Sequence, residues 1–169
     1  MKRILLALSL ALLPSGALAN DTWLEYIDWI VANTDYEYNG EPLPTVEERS
    51  QAELKIMAYG AEVVARAEFD GQELPDVLAA YDDFVMYVPV DTEVQPWVIV
   101  HELVHYLQEV NGALDECVGA NEPEAYLLHD QWQEEHGYDE FRNSGNIMYG
   151  MMLGMTCIEQ DMYGRPWPD

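Results

Sequence analysis

The sequence predicts one α+β domain, a small sheet or β-hairpin packed on a buried helix with a second helix behind it. Three observations carry this. Val98 to Gln108 is a helix-length run that is apolar nearly all round, as a buried helix is. Leu78 to Tyr81 and Phe84 to Pro89 are short apolar runs flanking Asp82-Asp83, the pattern of a hairpin with a two-residue turn. Of 169 residues, 150 remain once an N-terminal leader is set aside, a length that fits a single core.

The leader is Met1 to Ala19. Lys2 and Arg3 form a charged start, Ile4 to Leu13 is apolar except for Ser9, and Ala17-Leu18-Ala19 supplies small residues for cleavage. So short a run cannot cross a hydrocarbon core about 30 Å thick. The mature chain is therefore expected to begin at Asn20 and to be soluble, secreted or periplasmic. It then carries 5 basic against 32 acidic side chains, a net charge of −27. That excludes nucleic acid, whose phosphates need clustered positive charge, and argues against anionic membranes. Attraction of cations is one reading of the acidity. Solubility is the plainer one, and we adopt it. With 49% hydrophobic residues the chain can bury a core, so the charge does not signal disorder.

The elements follow in order. Trp23, Leu24, Ile27, Ile30 and Val31 recur at helical spacing behind a possible cap at Asp21. Asp35 to Pro44, with Asn39-Gly40 and two prolines, reads as a loop. Gln51 to Tyr59 favours helix, with Ser50 as cap and Gly60 as stop. Val63 to Phe69 fits a strand or more helix, and pattern alone does not choose. Asp70-Gly71 and Pro75 break the chain before the hairpin. Asp91 or Thr92 is expected to cap the next helix, and Asn111-Gly112 to end it. Pro123 suits the first position of a further helix, whose apolar residues are Ala125, Leu127, Leu128 and Trp132 and which Gly137 stops. A last helix is expected from about Asn146 to Thr156, with Met148, Met151, Met152 and Met155 as adaptable core filling. Cys117 and Cys157, the only cysteines, are expected to pair in an oxidising compartment.

The chemistry concentrates in His101-Glu-Leu-Val-His105. In a helix the two imidazoles leave one face a turn apart, a geometry that can grip one metal ion. Glu102, about 100° round from His101, flanks the ion and is positioned to accept a proton from an attacking water. The motif arises by chance in roughly one such chain in a hundred, so its context matters. Here the only groups from Val98 to Gln108 that can be charged near neutral pH are the three that the chemistry wants.

This segment resembles the active-site helix of zincin metallopeptidases. The wording HELVHYLQ is similar to that of small secreted bacterial proteins of that superfamily, over about Leu78 to Trp132. Metzincins would need Gly at 108 and His at 111, and Gln108 and Asn111 exclude them. Gluzincin-like proteins draw the third ligand, a Glu, from the next helix, and the resemblance of Glu-Ala-Tyr to their Glu-Ala-Asn or Glu-Ala-Asp points to Glu124, with Glu122 in reserve. His129 and Asp115 are weaker candidates. The resemblance thus implies Zn²⁺ held by His101, His105 and Glu124, Glu102 as general base, and a peptide or protein substrate. It also implies a sheet strand lining the cleft, although the hairpin strands equally suit the sheet interior. An oxyanion donor is expected, and Tyr126, His129, His136 and Tyr149 are chemically able. We expect a monomer. The competing readings are a zinc-binding interaction domain without turnover and a metal-free structural protein. Amino-terminal sequencing of exported material is expected to start at Asn20; a start at Met1 would contradict the leader.

Overall fold

The computed structural model describes residues 15–90, 92–115, 117–138, 148, 150–155 and 157, with side chains described from residue 22 onward. The order is α1 (Ser15–Asn33), β1 (Thr45–Arg49), α2 (Gln51–Tyr59), α3 (Ala61–Asp70), β2 (Ala80–Asp82), β3 (Val85–Pro89), α4 (Pro96–Val110) and α5 (Val118–Glu135). The described residues between 148 and 157 are helical too and form the C-terminal helix. The fold is thus α+β, with a three-stranded mixed sheet ordered β1-β3-β2.

α4 is the centre of the molecule. Every residue from His101 to Gln108 is buried, because α1, α5 and the sheet each cover part of the helix. From α1, Trp23, Ile27 and Ile30 supply an i, i+4, i+7 stripe to the core that Val100, Leu103, Val104 and Leu107 continue. From α5, Ala125, Leu128 and Trp132 close the other side. Trp132 meets Tyr26 edge-on and stacks on Tyr138 and His136, so His136 belongs to an aromatic stack. Fully burying one Leu or Ile side chain contributes about 1.5–3 kcal/mol, and α4 is the largest contributor of such residues.

Several local expectations hold for the reasons given. Ser50 caps α2 in a reciprocal box with Glu53, and Gly60 ends it. α4 ends at Asn111, followed by Gly112 with φ +64°, a conformation that glycine adopts without steric cost. Cys117 and Cys157 form a disulfide across 40 residues of sequence. Closing such a loop stabilises the fold by roughly 4 kcal/mol in the chain-entropy model. No helix among the described residues is long and apolar enough to cross a membrane. Residues 1–14, the greater part of the expected leader, lie outside the described residues, as does Tyr149.

Other expectations need correction. Asp21 does not stand at a helix start, because α1 already begins at Ser15. Val63 to Phe69, left open between strand and helix by its pattern, is helix, within α3. The hairpin turn falls on Asp83-Phe84, both with positive φ (46° and 60°), one residue later than expected. Asp82 thereby pairs with Val85 in the ladder, and two left-handed residues match the twist of the flanking strands. β2 is an edge strand packed on α4 through Tyr81, which meets Tyr106 and donates to Glu109, while β3 is the central strand. β1, parallel to β3, was not expected at all: four of its five residues are exposed, so it shows no alternation of apolar and polar positions. α4 is entered through Gln95 and Pro96, without a side-chain cap from Thr92, whose hydroxyl donates to the Val90 carbonyl. The methionines at 148, 151, 152 and 155 are not core filling but face outward, at 58–63% exposure.

Replacing Leu103, fully buried in α4, by Ala is expected to lower the unfolding free energy by about 2–5 kcal/mol in denaturant titration. The exposed Leu127→Ala is expected to stay within about 0.5 kcal/mol. Equal losses would contradict this placement of the core.

Candidate metal centre

The site forms where α4 meets α5. Gln108 meets Asn121 and Glu124, His105 meets Glu122, and His101 meets Tyr126 and His129. Later residues of α4 thus face earlier ones of α5, and the two helices run antiparallel. The sequence reason for α5 is a buried stripe of Asn121, Ala125, Leu128 and Trp132 at i, i+4, i+7, i+11.

Two imidazoles and one carboxylate converge. Nε2 of His101 and Nε2 of His105 are 3.3 Å apart. The two oxygens of Glu122 reach them, Oε2 to His101 at 3.3 Å and Oε1 to His105 at 3.5 Å. Ligand atoms bound at 2.0–2.1 Å on a tetrahedral ion lie about 3.3 Å apart. The three side chains therefore fit a metal ion, and they are the His/Cys/Asp/Glu group among the described residues close enough to share one.

The carboxylate that lies within reach of both imidazoles is Glu122; the expected Glu124 is not in that group. The expectation started the helix at Pro123, whereas α5 begins at Val118 and holds Pro123 inside it. Glu124 is two residues, about 200°, round the helix from Glu122, and its carboxylate accepts hydrogen bonds from the Tyr36 hydroxyl and from Gln108 Nε2. Periodicity does not decide between the two: 122 lies three residues before Ala125 and 124 four before Leu128, so both border the buried stripe. Asp115 is exposed, bonded to Asn121 and Cys117, and takes no part.

Glu124 nevertheless shapes the site through Gln108. The Gln108 amide donates to two acceptor-only groups, the Glu124 carboxylate and the Asn121 carbonyl at 3.1 Å. Its Oε1 must then accept from His105 Nδ1, 2.9 Å away. A proton on Nδ1 leaves the Nε2 lone pair facing Glu122, the tautomer a metal ligand needs. Sequence reading gave Gln108 no role beyond excluding metzincins.

Burial and charge set the protonation states. Burial lowers the affinity of His101 for a proton, but its contact with Glu122 and the charge of Glu102 outweigh this, so its pKa lies above the ordinary value. Burial raises Glu122, and the His101 contact outweighs that, leaving it below the usual carboxylate range. His105 is pushed down to about 4 by burial and by the His101 charge. Glu102, 5% exposed, is pushed up to about 7 by burial, against the pull of His101. His129 is pushed down to about 3 by burial and His101, so it is neutral at ordinary pH. Its ring lies 5.9 Å from that of His101, and its Nδ1 is buried without a hydrogen bond among the described residues. Tyr126 presents its ring edge-on to His101 at 4.5 Å. Of the four oxyanion-donor candidates, His129 and Tyr126 stand at the site.

No family model, curated protein or solved structure matches the chain. The metal-binding geometry therefore stands on these residues alone.

Two outcomes follow from the ligand set. Glu122→Ala is expected to weaken divalent-metal binding by well over 100-fold, and Glu124→Ala by about 10–100-fold, as loss of a supporting partner does; chelator competition reads both, and the reverse order would contradict the assignment. Metal must also displace the His101 proton, which is held above its ordinary pKa. Affinity is thus expected to fall as pH drops through neutrality, with proton release visible by calorimetry in buffers of different ionisation enthalpy. Affinity unchanged between pH 8 and 6 would contradict it.

Proposed function

We propose that the protein is a secreted or periplasmic zinc metallopeptidase of gluzincin type, with His101, His105 and Glu122 as ligands and Glu102 as general base. The supporting observation is the convergence at the buried α4–α5 contact of the His101 and His105 Nε2 atoms, 3.3 Å apart, with the Glu122 carboxylate, whose Oε2 is 3.3 Å from His101 and Oε1 3.5 Å from His105. Two neutral imidazoles with one carboxylate suit zinc, and three protein ligands leave a fourth position open, as in catalytic sites.

When bound, the ion supplies Lewis acidity and acidifies a water in that open position. Glu102 takes the proton on its carboxylate. Without metal, burial raises its pKa to about 7, and as a buried carboxylate beside the ligands it is the group suited to accept a proton and pass it on. Microscopically the same oxygen can then deliver that proton to the leaving amine. Gln108 fixes the His105 ring, and the burial of His101, Glu102 and His105 limits water around the motif. Tyr126 and His129, whose rings lie 4.5 and 5.9 Å from that of His101, are our candidates for a hydrogen-bond donor to the developing oxyanion. Export is supported by the leader-like start and by a disulfide, which persists in oxidising compartments.

The test is digestion of a mixed peptide library by zinc-loaded protein and by Glu102→Gln. The variant is expected to keep its zinc and to lose about 10²–10⁴-fold in cleavage rate. Equal cleavage by both would locate the activity elsewhere. Zinc binding without cleavage by the wild type would leave a binding domain that performs no turnover.

A further inference from the structure

The turn of α5 that carries Glu122 is weakly built by its own sequence. Val118 opens it with 74% of its surface exposed, Cys117 gives no side-chain cap, and Gly119 lowers helix propensity. Pro123 has no N–H, so the carbonyl of Gly119, four residues earlier, loses its helical hydrogen bond. Such a stretch holds a ligand in place only if other elements hold the stretch.

The C-terminal helix does so from the side opposite α4. A Cβ added to Gly150 would lie 2.8 Å from Tyr126 Cδ2, and 3.3 Å from both the Glu122 carbonyl oxygen and the Pro123 Cα. One added to Gly154 would lie 3.2 Å from Pro123 Cγ and 3.5 Å from the Gly119 oxygen that Pro123 leaves without a donor. The two glycines, four residues apart on one face, thus let the helices approach backbone to backbone over the ligand turn. Three residues further along, Cys157 is bonded to Cys117, the residue immediately before α5. The outward face carries the exposed methionines instead.

We propose that the C-terminal helix, locked by Cys117–Cys157, is a brace that positions Glu122, so that opening the disulfide weakens metal binding at His101, His105 and Glu122. The proposal rests on the metal-binding reading of that site but not on its hydrolytic activity. It also makes the site responsive to redox state: a dithiol delivers two electrons and two protons to the S–S bond, leaves as its own disulfide, and frees the helix as two thiols form.

Three measurements test it on the full chain. In metal-free protein, hydrogen exchange of residues 118–126 is expected to speed up at least tenfold on reduction with dithiothreitol, while residues 100–108 of α4 keep their protection. The zinc dissociation constant, read by chelator competition, is expected to rise about tenfold or more in Cys117→Ser/Cys157→Ser, which offers zinc no new thiolates. Gly150→Val is expected to show the same rise with the disulfide intact, and Met151→Val, on the outward face, none. Unchanged exchange on reduction, or equal zinc affinity in the wild type and the double Ser variant, overturns the brace, whether or not Gly150→Val folds. If the oxidised wild type binds no zinc, the metal reading itself fails, and the exchange measurement still decides whether the helix holds the turn.

Discussion

The contact between α4 and α5 is the constraint on which the structure depends. It sets His101, Glu102, His105, Gln108, Asn121 and His129 into the interior of a domain whose core is mainly apolar. Burying polar groups is unfavourable unless each finds a partner. Some of these partners are present: Gln108 spans His105, Asn121 and Glu124, and Glu122 bridges the two imidazoles. A divalent ion between the imidazoles would satisfy the remaining lone pairs directly. The apolar stripes of α1, α4 and α5 surround this polar cluster and contribute the stability that tolerates it.

The electrostatic picture follows from the same burial. Two acidic groups and three imidazoles share a region of low polarisability, so each one's charge moves its neighbours. His101 and Glu122 stabilise one another as an ion pair, and the other two histidines are held neutral. Glu102 is left as the carboxylate with a raised pKa. Groups pushed apart in this way are what acid-base chemistry uses, although ion pairs of purely structural purpose also arise in buried sites.

Legibility in the sequence tracked how much of each signal is local. The Ser50–Glu53 box and the Asn111-Gly112 stop were readable because capping chemistry lies within four residues. The helical spacing of His101 and His105 was readable for the same reason. The disulfide was readable by counting alone. β1 was not, because its charged residues earn their strand conformation from a ladder to β3 forty residues away. The convergence of Glu122 with the histidines was hidden by a helix boundary: Pro123 is a strong start signal, yet α5 begins five residues earlier, in a stretch contacted by Gln108, the disulfide and the C-terminal helix. The methionine face was misread because periodicity marks a face without saying whether anything covers it.

The most direct measurement is anomalous diffraction at the zinc absorption edge from crystals of the zinc-loaded protein. The account predicts one strong peak about 2.0–2.2 Å from Nε2 of His101, Nε2 of His105 and a Glu122 oxygen, with Glu124 still bonded to Tyr36 and Gln108. A peak bound through Glu124, or no ordered ion between the two histidines, would contradict it.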